Sequence, residues 1–64
     1  MTPFDLLDEE CKYLNLIFEN TDADKMMIIC LCAKIHFAFK CSMISGKDHH
    51  VLIDKARSLL YGGA

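Results

Sequence analysis

Eight apolar residues run without a break from Met26 to Ala33, and they open a segment that stays apolar to Ile44 apart from Lys34, His36, Lys40 and Ser42. A helix that is apolar around most of its circumference has to be covered on several sides. The chain has 64 residues, so little of it is left over to do the covering. Chains of this size bury only about 60% of the surface they expose when unfolded, and many gain stability by associating. Self-association or a partner is therefore the first expectation for this segment.

The segment is close to the roughly 20 residues that a bilayer-spanning helix needs. Lys34, His36 and Lys40 fall inside it, however, and a central Lys costs about 2.5–3.5 kcal/mol on insertion. No membrane association is expected.

Punctuation divides the chain into three helical segments of one domain, residues 1–64. Thr2-Pro3 supplies an N-cap followed by Pro at the first helical position, where a missing N–H costs nothing. Phe4, Leu7, Cys11, Leu14 and Phe18 then recur in steps of three and four and form a seam, which Leu6, Tyr13, Leu16 and Ile17 widen. Asn20 to Asp24 interrupts the pattern, and Thr21 with Asp24 forms a shortened capping box for a second helix from about Asp22. Ser45-Gly46 is expected to end that helix. Asp48 then caps a third helix through Leu52, Ile53, Ala56, Leu59 and Leu60, and Gly62-Gly63 closes it. The predicted fold is all-α: a helical hairpin plus a short C-terminal helix, packed as a homo-oligomeric helical bundle.

The second helix carries two apolar faces at 100° per residue. Ile28, Leu31, Ile35 and Phe39 line one; Met26, Cys30, Ala33, Phe37, Cys41 and Ile44 line the other, across a strip bearing Met27, Lys34 and Ala38. Two faces need two sets of neighbours. The first and third helices can cover one face, and a second copy is the economical cover for the other, since two-fold dimers are the commonest homo-oligomers. All ten residues are interface candidates, with Phe37 the expected central anchor.

Four cysteines, Cys11, Cys30, Cys32 and Cys41, permit two disulfides. Each lies in a helical pattern, where free Cys behaves as a small apolar residue, and the acidic N-terminal stretch lacks the features of an export signal. Reduced thiols in a cytoplasmic protein are expected. Cys32 and His36, four apart, make at most half a metal site that Cys11, His49 or a symmetry mate would have to complete. Cys30 and Cys32 stand about 200° apart on a helix and cannot chelate together. His49 and His50 point in different directions and read as surface residues. No metal and no cofactor is expected.

Catalytic parts are missing: no phosphate-cradling Gly loop, no motif around Ser42, Ser45 or Ser58, and no calcium-loop spacing among Asp5, Asp8, Glu9 and Glu10. An enzyme is not expected. The net charge of −2 supplies no basic field for general nucleic-acid binding. Lys25, His36 and Lys40 do fall within about 60° on the second helix, which leaves RNA or nucleotide binding by a helical oligomer as the alternative. The leading expectation is a small non-enzymatic protein-binding regulator or inhibitor, of the kind viruses and mobile elements encode. It would act by stoichiometric binding, with Met26, Met27 and Met43 helping to grip a target helix.

Overall fold

A computed structural model describes residues 1–61, and the expected closing pair Gly62-Gly63 lies outside the described residues. Three helices make up the described chain: α1 (Pro3–Ile17), α2 (Asp22–Lys40) and α3 (Gly46–Tyr61). The N-termini expected at Thr2 and Thr21 both form, each as a full capping box. Thr2 Oγ1 accepts from the Asp5 N–H at 3.2 Å while the Asp5 carboxylate accepts from the Thr2 N–H. Thr21 and Asp24 repeat the exchange at α2, and Asp24 Oδ2 also accepts from the Glu19 N–H at 2.7 Å. These hydrogen bonds hold both carboxyl groups below the usual Asp range.

The second helix stops five residues before the expected Ser45-Gly46 signal. Ser42 takes φ 60, the left-handed region, and its N–H donates to the Phe39 carbonyl at 3.0 Å while the Met43 N–H reaches back to Ala38 at 2.8 Å. That pair of bonds is a Schellman ending with Ser where Gly is usual. The sequence signal was obscured because the residue reversing the chain is not Gly. Ser45, rather than Asp48, then caps α3: its hydroxyl accepts from the Asp48 N–H at 3.1 Å and its carbonyl from the His49 N–H. Gly46 consequently opens the third helix instead of ending the second.

Packing follows the predicted seams. Cys11 and Leu14 from α1, Ile28, Leu31, Ile35 and Ala38 from α2, Ile44 from the turn, and Leu52, Ala56 and Leu59 from α3 form the core, with Phe4, Leu7, Phe18, Ile53 and Leu60 half-buried around it. Ile28, Leu31 and Ile35 are thereby sealed by the other two helices of the same chain. They and Ile44 have no surface left for a second subunit, and only the opposite side of α2 does. Ala38, expected on a dividing strip, is buried because α1 lies along that strip.

Two ion pairs tie α1 to its neighbours. Lys34 on α2 donates to Glu10 at 2.8 Å, and Asp8 accepts from both Lys55 of α3 and Lys12. Lys55 above all holds the Asp8 carboxyl below its ordinary range. No helix among the described residues is long and apolar enough to cross a membrane.

Candidate functional site

The side of α2 facing away from the core is built from Met26, Cys30, Ala33 and Phe37, all exposed, with Cys41 just past the helix end. Phe37 is 66% exposed, so the expected anchor is not anchored within the chain. Phe39, from the other predicted face, sits at the boundary and stacks on His49 with ring centres 4.6 Å apart.

Helix α1 extends this outward face. Its Leu6 and Tyr13 are both more than half exposed, as is Met43 in the turn. Around Phe37 lies a groove of about 600 Å³ walled by Pro3, Leu6, Leu7, Ala33, Ala38 and Met43. A smaller groove of about 280 Å³ lies at the other end, between Tyr13 of α1 and Met26, Met27 and Cys30 of α2. The Lys34–Glu10 pair stands between them and borders both. Glu10 raises the Lys34 pKa, which keeps the pair charged but mutually neutralised. The α2 half of this surface was legible as a helical face. The α1 half carries no separate signal, because Leu6 and Tyr13 read only as a widening of the buried seam.

A third cleft, about 310 Å³, separates α1 from α3 and is lined by Cys11, Lys12, Asn15, Lys55, Ser58 and Leu59. Burial pushes the Cys11 thiol up to about 11, with Asp8 adding to the effect, so at neutral pH it is protonated and not a nucleophile. Burial raises Cys32 as well. All four cysteines are free, two of them, Cys30 and Cys41, exposed.

The alternative strip is broken up along the helix. His36 and Lys40 are one turn apart, but Lys25 lies three turns below His36, about 16 Å at 1.5 Å per residue. His36 Nδ1 instead meets His49 Nε2 of α3 at 3.4 Å, a contact between elements that the strip did not anticipate. Cys32 does not complete a set with these histidines: among the described residues no three metal-ligating side chains converge. His50 is turned away, pairing with Asp54 at 3.3 Å.

Comparisons with protein-family models, curated proteins and solved structures gave no match to this chain.

Proposed function

We propose that this chain is a small non-enzymatic protein-binding module, a regulator or inhibitor that acts by stoichiometric binding as a homo-oligomeric helical bundle in the cytoplasm. The observation that carries the reading is the exposure of Phe37 beside an apolar groove that Leu6 and Met43 also border. Surfaces of this kind, with an aromatic anchor, flexible Met side chains and a polar rim, suit a helix-in-groove contact. Two exposed thiols, Cys30 and Cys41, suit a reducing compartment. The RNA or nucleotide reading has less behind it, because Lys25 stands too far from Lys40 to share one phosphate with it.

A photo-crosslinking amino acid placed at position 37 in cells, followed by mass spectrometry, tests the proposal. Protein adducts should form from position 37 and be scarce from position 19, an exposed site away from the grooves. Equal yields from both positions, or adducts to nucleic acid alone, would refute it.

A further inference from the structure

The outward face of α2 reads the same from either end. Met26, Cys30, Ala33 and Phe37 give large, small, small, large, at spacings of four, three and four, and every one of them is exposed. A two-fold axis midway between Cys30 and Ala33 therefore lays Phe37 of one copy on Met26 of the other, and Cys30 on Ala33. Small side chains at a crossing allow helices to approach to about 8 Å, and a Met sulfur against an aromatic ring is a favourable contact.

The same axis exchanges the two grooves. Phe37 enters the smaller groove of the other copy, beside Tyr13, while Tyr13 and Met26 of that copy enter the larger one, beside Leu6. The charged groups beside the axis are Lys34 and Glu10, and their charges already satisfy each other.

Charge selects the direction. Asp22 and Lys40 occupy one azimuth on α2, five turns or about 18 residues apart. An antiparallel pairing brings Asp22 of each copy within one residue, about 1.5 Å along the axis, of Lys40 of the other on the same flank, whereas a parallel pairing brings no opposite charges together there. We infer that the α1–α2 face is occupied by a second copy of this chain, in an antiparallel two-fold dimer crossing at Cys30 and Ala33. The inference rests on the reading of this face as a protein interface, and names its occupant.

Sedimentation equilibrium of the full chain tests it. The expected result is a dimer whose dissociation constant rises roughly a hundredfold or more in Phe37→Ala. Asp22→Lys and Lys40→Asp should each weaken the dimer about tenfold, and the two together should restore it. Circular dichroism of each variant confirms that the fold is retained. A folded monomer throughout the micromolar range would overturn the inference, as would a dimer that Phe37→Ala leaves intact or that the charge exchange fails to restore. A monomer that still crosslinks through position 37 to a different protein would overturn the second copy as occupant while leaving the protein-binding reading in place.

Discussion

Replacing Ile35 and Phe37 by Ala, one at a time, separates the two sides of α2. Ile35 is fully buried among residues of all three helices, so truncation removes its burial and leaves a cavity, at a cost of about 2–5 kcal/mol. A domain of this length is stable by only about 3–10 kcal/mol, and each kcal/mol moves the melting temperature about 4–8 °C. Ile35→Ala should therefore melt tens of degrees lower or fail to fold, by the same amount at every protein concentration. Phe37 keeps only about a third of its surface covered within the chain. Of the roughly 1.5–3 kcal/mol that full burial of a Phe contributes, about 0.5–1 kcal/mol is then at stake in the single chain. On the dimer inferred above, any greater loss comes from contacts between copies and grows with concentration by mass action. Thermal melts followed by circular dichroism over a hundredfold concentration range, about the span needed to see that linkage, supply the assay. If Phe37→Ala cost as much as Ile35→Ala regardless of concentration, the ring would be packed inside the chain, and the division of α2 into inner and outer faces would be refuted.

Other substitutions probe the connections and the charges. Ser42→Gly should stabilise by about 1 kcal/mol, because Gly adopts the left-handed conformation that Ser42 holds at a cost; a lower urea midpoint would contradict that account. Thr21→Ala removes the α2 cap and should cost about 0.5–2 kcal/mol by chemical denaturation. Asp8 and Asp24 have folded pKa values below their unfolded ones, so their stabilisation is present above about pH 4 and fades as pH falls through the folded values. Stability should accordingly drop on acidification, and Asp8→Asn should flatten the profile. Iodoacetamide at neutral pH should label exposed Cys41 readily and Cys11 only on unfolding, since burial keeps the latter protonated; mapping adducts by mass spectrometry distinguishes them.

Apolar spacing made the three seams legible, and the side chains of Cys11, Leu14, Leu52, Ala56 and Leu59 are buried where the periodicity puts them. The Thr21–Asp24 cap was equally plain, since both partners lie within one turn. The end of α2 was hidden because Ser42 reverses the chain in place of a Gly, and the bonds that fix it reach back to Phe39 and Ala38. For the candidate face, periodicity separated the inner from the outer side of α2 but not which side the chain itself would cover. That outcome depends on where α1 and α3 dock, which placed Ile28 and Ile35 inside and left Phe37 out. The meeting of His36 with His49 depends on the same docking, and no local pattern encodes it.

Both connections, residues 18–21 and 41–45, join helices that are neighbours in sequence, and each carries its own hydrogen bonds. Only the docking of α1 on α3, marked by Asp8 and Lys55, closes a long stretch of chain. Such local topology folds in microseconds to milliseconds. Encounter between two copies at micromolar concentration, with association rate constants of about 10⁵–10⁷ M⁻¹s⁻¹, takes on the order of 0.1–10 s. On the dimer inferred above, each newly made chain displays a finished Phe37 face, alone, for at least about a hundred times as long as it takes to fold, and whatever else in the cell recognises that face competes for it during that interval.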